Sequence, residues 1–173
     1  MDLKKLVRDI PDFPKPGIVF RDIMPMLGDA EALRYMVDAM FVHYFGKKID
    51  KVVSAEARGF IFGPAVAYHL GCGFVAVRKP GKLPFKTRQI TYDLEYGTDS
   101  LTIHEDALKK GDNVLLVDDL LATGGTMAAS AQLCNDLGGN VIGAAFIIEL
   151  TFLKGRSKLT PYDVFSLIQY ESE

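Results

Sequence analysis

The sequence has no tryptophan, only two cysteines and only three histidines among 173 residues. Cys72 and Cys134 lie far apart with no CxxC spacing. That argues against a disulfide or thiolate metal site and for two small apolar residues in a reducing compartment. His43, His69 and His104 form no HxxH or HExxH pattern, so each is expected to be structural or at the surface. An excess of one charge is also lacking. The formal net charge of −2 gives no broad basic face for nucleic acid, so any phosphate must be held by a local cluster. The opening "MDLKKLVRDIPDFPKPG" has neither the apolar core and cleavage site of a signal peptide nor the length of a membrane span. A cytoplasmic protein is expected, with no membrane partner. No GxxxxGK[ST] occurs, which excludes a P-loop. "GCGFVA" (71–76) satisfies GxGxxA nominally but precedes a strand instead of opening a helix, so it is no dinucleotide fingerprint.

What remains is a chain that is 49% apolar, long enough for one domain with one sizeable core. No repeat, low-complexity tract or linker divides it. "DLKKLVRDI" predicts a short opening helix stopped by Pro11, Pro14 and Pro16. Leu33, Met36, Val37, Met40, Phe41 and Tyr44 recur at helical spacing over 29–44, with Gly46 beyond. Strands are predicted at 51–55, 74–78, 113–117 and 141–150, and helices at 59–71 and 126–137. An antiparallel hairpin is predicted over 90–105, and a helical turn or two at 106–111. Strands that alternate with helices and are apolar enough to be covered on both faces indicate an α/β fold with a mostly parallel sheet. Ligands in such folds bind beyond the carboxyl ends of the strands. The unusual residues fall there: Ser54 to Phe60, Arg78 to Lys86, and Asp118 to Thr126.

The last of these, "VLLVDDLLATGGT" (114–126), delivers two adjacent carboxylates to a strand end. Buried without partners they would be costly, and a polyhydroxyl ligand would satisfy them as acceptors. The small residues that follow let the backbone curl at a helix N-terminus. Its N–H groups and the Thr123 and Thr126 hydroxyls can then ring a phosphate. Together these features suit a ribose 5-phosphate; the plainer alternative is a tight strand-to-helix turn with aspartate caps. "RKPGKLPFKTR" (78–88) carries five basic residues and no acidic one, and reads either as a solvated loop or as a basic lid.

The stretch 114–126 resembles the phosphoribosyl pyrophosphate (PRPP) motif of type I phosphoribosyltransferases, in the wording of the family's adenine-specific branch. The segments 12–27, 56–67, 77–84, 92–99 and 149–159 resemble that family in order and spacing. The resemblance implies a single type I phosphoribosyltransferase-like domain over 1–173: a central mostly parallel sheet flanked by helices, with a small hood. Within it, 1–27 would be a hood and adenine-binding segment, and 78–100 a lid loop and hairpin. It implies a homodimer and the reaction adenine + PRPP → AMP + pyrophosphate, a step of purine salvage. Mg²⁺ would be held mainly through PRPP and water, with no firm protein ligand.

By matching positions, the resemblance implies that Asp118 and Asp119 face the ribose hydroxyls and that Ala122, Thr123, Gly124, Gly125 and Thr126 hold the 5-phosphate. Arg58, Lys79 and Lys82 would grip pyrophosphate, Arg58 from a loop that in the family often has unusual peptide geometry. Glu95 would be the acid/base group. Adenine would lie on Phe20, be read by backbone groups of Val19 and Arg21, and meet an apolar wall at Leu150. Two positions depart from common relatives. "FKTRQI" (85–90) follows "GKLP" in a variable part of the lid, and Ala57 stands where some relatives carry serine. Two alternatives stay open: a transferase for a 6-oxopurine (hypoxanthine, guanine or xanthine), and a PRPP-sensing regulator on the same fold.

Overall fold

The computed structural model describes residues 1–93 and 97–172. After a single 3-10 turn (Leu3–Leu6) come β1 (Arg8–Ile10), β2 (Phe20–Asp22), α1 (Met24–Gly28), α2 (Ala30–Tyr44), β3 (Lys51–Ala55), α3 (Gly59–Leu70) and β4 (Gly73–Val77). Then follow β5 (Thr87–Asp93), β6 (Thr98–His104), β7 (Asn113–Leu121), α4 (Gly125–Asp136), β8 (Asn140–Leu150) and β9 (Asp163–Tyr170). Two further 3-10 turns, Thr151–Leu153 and Gly155–Leu159, join β8 to β9.

Five strands form one parallel sheet in the order β4-β3-β7-β8-β9. Neighbouring residues on each strand face opposite ways, and both faces are covered. Val52, Leu115, Ala145 and Ile147 pack under α2 and α3, whereas Val53, Leu116, Ala144 and Phe146 pack under α4. The two-residue strand period and this double burial explain why the strands read as unbroken apolar runs. Asp29 caps α2 by accepting from the Glu31 and Ala32 amides, both at 2.9 Å. Gly71, at φ 68°, closes α3.

Two ribbons stand outside the sheet. β1 and β2 pair antiparallel at the N-terminal end, tied by Arg8, which donates to Asp22 at 2.9 and 2.6 Å. β5 and β6 pair antiparallel from Thr87↔His104 to Asp93↔Thr98. The expected hairpin is therefore present and starts three residues before position 90.

Some expectations need correction. The opening helix is one turn only, because the chain enters β1 at Arg8. Residues 106–111 form turns: the Lys109 amide donates to the Asp112 carboxylate at 2.9 Å and the Asp112 amide to Lys109 O at 3.0 Å. These local bonds occupy a connection too short to nucleate a helix. β7 runs past 117 to Leu121, since pairing with β8 continues through Asp118↔Phe146 and Leu121↔Glu149. The aspartates thus lie within a strand and are held at defined heights. β9, β2 and α1 complete the fold without having been expected.

Candidate active site

β3 neighbours β4 on one side and β7 on the other, so successive crossovers leave the sheet in opposite directions at the β3/β7 boundary. A crevice opens beyond the carboxyl ends at such a reversal. Here a cleft of about 470 Å³ is lined by Glu56, Ala57, Arg58 and the run from Asp118 to Met127. The peptide between Glu56 and Ala57 is cis, the irregular geometry that the resemblance implied for this loop.

Asp119 is buried and Asp118 half-buried. Asp118 Oδ1 accepts from the Asp119 amide at 2.9 Å. Arg58 Nε sits 2.6 Å from Asp119 Oδ2, and the Arg58 guanidinium lies 5.4 Å from the centre of the Phe20 ring. Burial pushes the Asp118 carboxyl well above the usual carboxylate range, and the neighbouring Asp119 charge adds to it. Burial also raises Asp119, against the pull of the Arg58 guanidinium. A pair of this kind holds a proton readily and gains most from donors delivered to it. A side chain at position 59 would put its Cβ 2.9 Å from Asp118 Oδ1, so Gly59 gives that carboxylate its room.

Next along the cleft, Gly124 adopts φ 76° and starts α4, which begins at Gly125 rather than at Thr126. The free N–H groups of that first turn make an anion-seeking corner. Thr126 Oγ1 meets the Tyr92 hydroxyl at 3.1 Å, so the β5–β6 ribbon is docked on the start of the helix. Ala122, Thr123, Gly124, Gly125 and Thr126 all line the same cleft as the two aspartates.

The basic segment is tied down by Glu56. Its carboxylate accepts from Arg78 Nε (3.0 Å), Arg78 Nη2 (2.8 Å) and the Lys79 amide (2.7 Å). Burial would raise the Glu56 pKa, but the hydrogen bonds from the Lys79 amide and Arg78 outweigh it and hold it below the usual range. Lys79 Nζ pairs with Asp99 at 3.1 Å, on the neighbouring ribbon. The Lys82 amide donates to Lys79 O at 3.2 Å, and Lys82 O accepts from Arg78. Neither lysine side chain lines the cleft in this arrangement.

At the β1–β2 ribbon, Phe20 packs edge-on against Phe13 at 5.2 Å. Arg21 pairs with Asp9 at 2.6 Å and stacks over the Tyr170 ring at 4.2 Å. Tyr170 is the register partner of Leu150 at the end of β8. One contact chain therefore links Phe20 to Arg58 and Asp119, and a second links Arg21 through Tyr170 to Leu150. Val19 precedes β2 directly. Glu95 lies outside the described residues.

Sequence reasoning did not single out Glu56, Tyr92 or Gly59 as site residues. Their signals were present as a carboxylate between two loops, an aromatic within an alternating hairpin and a glycine opening a helix. What gives them meaning is pairing across 22 or more residues, as for Glu56 with Arg78 or Tyr92 with Thr126.

Residues 27–172 match the phosphoribosyl transferase domain. The chain is 59% identical over 168 residues to the adenine phosphoribosyltransferase of Acidobacterium capsulatum, covering 97% of this chain and 93% of that protein. The crystal structure of the adenine phosphoribosyltransferase of Thermoanaerobacter pseudethanolicus superposes with a TM-score of 0.95 at 55% identity, covering 98% of each chain. That of Saccharomyces cerevisiae, complexed with D-2,5-dideoxy-2,5-imino-altritol 1,6-bisphosphate and adenine, superposes at 0.91 with 44% identity, covering 96% of each chain.

Proposed function

We propose, from the premise that the chain belongs to the phosphoribosyl transferase domain family, that it transfers the 5-phosphoribosyl group of PRPP to N9 of adenine, giving AMP and pyrophosphate. The observation that carries this reading is the carboxylate pair set beside a positive-φ, glycine-rich helix start at the sheet's reversal point. The full-length identity to adenine phosphoribosyltransferases supports the choice of base.

In this reading the ribose hydroxyls donate to Asp118 and Asp119, while Ala122 to Thr126 surround the 5-phosphate. The arriving hydroxyl donors favour the ionised form of both carboxylates, and Arg58 is released from Asp119 toward the pyrophosphate. N9 of adenine attacks C1 of the ribose as the bond from C1 to the pyrophosphate oxygen breaks, its electron pair leaving with pyrophosphate. Positive charge builds on the ribose ring in such a transfer, and negative charge on the leaving group. Arg58, Lys79 and Lys82 stabilise the second, the lysines by turning in from the lid. Glu95 manages the proton at the purine ring. Phe20 stacks on adenine, backbone groups of Val19 and Arg21 read its edge, and Leu150 closes the apolar side.

Mg²⁺ fits this site as a substrate-borne ion. Among the described residues no three His, Cys, Asp or Glu side chains converge on a metal position, but Asp118 and Asp119 offer the hard oxygens that Mg²⁺ favours. When bound with PRPP it would neutralise pyrophosphate charge. We further assign the whole chain to one domain, with 1–27 as hood and 78–100 as lid and hairpin. We also assign it to the cytoplasm and to a homodimer. The free thiols of Cys72 and Cys134 support the first of these, and the exposed Val42 on α2, Phe45 just beyond it and Tyr68 on α3 support the second. Among the described residues no helix is long and apolar enough to cross a membrane.

The test is incubation of the pure protein with PRPP, Mg²⁺ and adenine, hypoxanthine, guanine or xanthine, followed by quantification of nucleotide and pyrophosphate. AMP in equal amount with pyrophosphate is expected, with little product from the 6-oxopurines. Nucleotide from a 6-oxopurine but not from adenine would overturn the reading.

A further inference from the structure

The segment "ELTFLKGRSKL" (149–159) contributes only Leu150 to the proposed site, yet side-chain hydrogen bonds tie it to both β8 and β9. Glu149, on β8, is 3% exposed. Its carboxylate accepts from Arg156 Nε at 2.9 Å and Nη2 at 2.5 Å, and from the Ser166 hydroxyl on β9 at 2.6 Å. Arg156 Nη1 also donates to Val164 O at 2.6 Å. The guanidinium is thus fixed to two strands at once, in the two-pronged geometry that only arginine provides.

The residue before Arg156 touches the helix-start loop backbone to backbone. A Cβ on Gly155 would lie 2.1 Å from Ala122 O and 2.9 Å from the Gly124 amide nitrogen. Conversely, a Cβ on Gly124 would lie 2.5 Å from Gly155 O. Gly124 needs glycine for its φ of 76° as well as for space, whereas Gly155 is not in the left-handed region and needs it for space alone. The φ of 54° at Lys154, where one 3-10 turn ends and the next begins, carries the chain into this contact.

We propose that 151–159 is a strap that sets the shape of the 122–126 loop, with Gly155 as its contact and the Arg156–Glu149 pair as its anchor, making both positioning residues for 5-phosphate binding. This rests on the reading that 122–126 take the 5-phosphate. A loop that binds an anion through its N–H groups must keep them aimed outward when empty, and Gly124 and Gly125 have no side chains with which to brace it. Gly155 braces it from behind. Because Arg156 is the next residue, rotation of the strap is restricted within one peptide of the contact. Although the Arg156 side chain is 44% exposed and the pair adds little net stability, its two-pronged contact with the buried Glu149 carboxylate fixes one geometry, and that is its use here.

The test is calorimetric titration of the full chain with ribose 5-phosphate and, separately, with inorganic pyrophosphate, both with Mg²⁺ present. The proteins compared are the wild type, Gly155→Ala, Arg156→Lys and Ser166→Ala, each checked for folding by circular dichroism. Gly155→Ala is expected to weaken ribose 5-phosphate by about tenfold or more, as a misplaced binding loop does. Pyrophosphate affinity is expected to stay within about twofold. Arg156→Lys should show the same selective loss in weaker form, because an ammonium cannot make the two-pronged contact. Ser166→Ala should show the least. In steady state the Gly155 and Arg156 variants should raise KM for PRPP more than they lower kcat, with KM for adenine unchanged. Unaltered ribose 5-phosphate affinity in folded Gly155→Ala or Arg156→Lys would overturn the strap, as would an equal loss for pyrophosphate. Should Gly155→Ala fail to fold, Arg156→Lys decides on the same criteria. A wild-type protein that does not bind ribose 5-phosphate would instead overturn the phosphate reading, and the strap with it.

Discussion

The glycine-rich end of the cleft and the end flanked by β1, β2 and residues 78–88 are built differently. At the first, backbone meets backbone: Gly124 faces Gly155, the aspartates are register-locked in β7, and the cleft wall continues directly into α4. At the second, long side chains do the tethering, through Arg21 with Asp9, Lys79 with Asp99, and Arg78 with Glu56. A site built from backbone holds its shape while empty. One built from side-chain ion pairs can be rearranged without unmaking backbone contacts, most readily at the exposed Lys79–Asp99 pair, since such a pair is worth about 1 kcal/mol or less. The first therefore suits a substrate that must be gripped through its phosphate and ribose. The second suits a segment that closes after binding.

This contrast orders the expected effects of substitution. The largest belongs to Asp118→Asn combined with Asp119→Asn. Steady-state kinetics should show kcat/KM for PRPP falling by roughly three orders of magnitude, two buried charge-assisted contacts being lost together. The same site should trade function for stability. Burial raises the folded pKa of Asp118 above its unfolded value, so the folded state binds more protons than the unfolded chain between the two. Stability then falls as pH rises through that window and stays lower above it, by about 1.4 kcal/mol for every tenfold by which folding tightens the hold on the proton. Asp118→Asn should flatten that slope, leaving the part that the raised Asp119 contributes, and raise the neutral-pH Tm by roughly 2–4 °C per kcal/mol recovered, read by thermal melts across pH. An unchanged pH profile would mean that the carboxyl is not perturbed.

Glu95→Gln comes next. Turnover should drop by about 10²–10⁴-fold, the usual worth of a general acid or base, with KM for both substrates nearly unchanged. An unaltered rate would remove its proposed role. Phe20→Ala should raise KM for adenine by roughly 5- to 150-fold, the loss of about 1–3 kcal/mol of stacking, and leave KM for PRPP within a small factor. An equal rise in both would mean that Phe20 acts through Arg58 rather than on the base. The smallest effect belongs to Asp99→Asn, which frees Lys79 from a pair whose side chains are 59% and 26% exposed. KM for PRPP should fall by less than about fivefold. A rise instead would show that the pair positions the lid and does not merely hold the lysine back.

Legibility in the sequence follows the same division. The strands of the sheet could be read because double burial makes them continuous apolar runs, and 114–126 because two carboxylates at a strand end are chemically anomalous. The exact strand end could not be read, since β7 is extended by pairing with β8, a partner more than twenty residues away. β9 alternates in burial only weakly, and its strand character comes from lying beside β8. The proximity of Phe20 to Arg58, of Glu56 to Arg78, and of Gly155 to Ala122 is a product of tertiary folding. No local pattern encodes such a meeting. The family resemblance carried the identity of the base, which the aspartates and glycines by themselves do not specify.

In the proposed function, the carboxylate pair of β7 is where PRPP is held. The measurement that tests it most directly is the shift in thermal midpoint produced by saturating PRPP with Mg²⁺, compared between the wild type and the Asp118→Asn, Asp119→Asn double variant. Ligand that binds only the folded state raises its stability by about 2.7 kcal/mol at a hundred times its dissociation constant. A clear upward shift is expected for the wild type and almost none for the double variant at the same PRPP concentration. Equal shifts in the two proteins would contradict it.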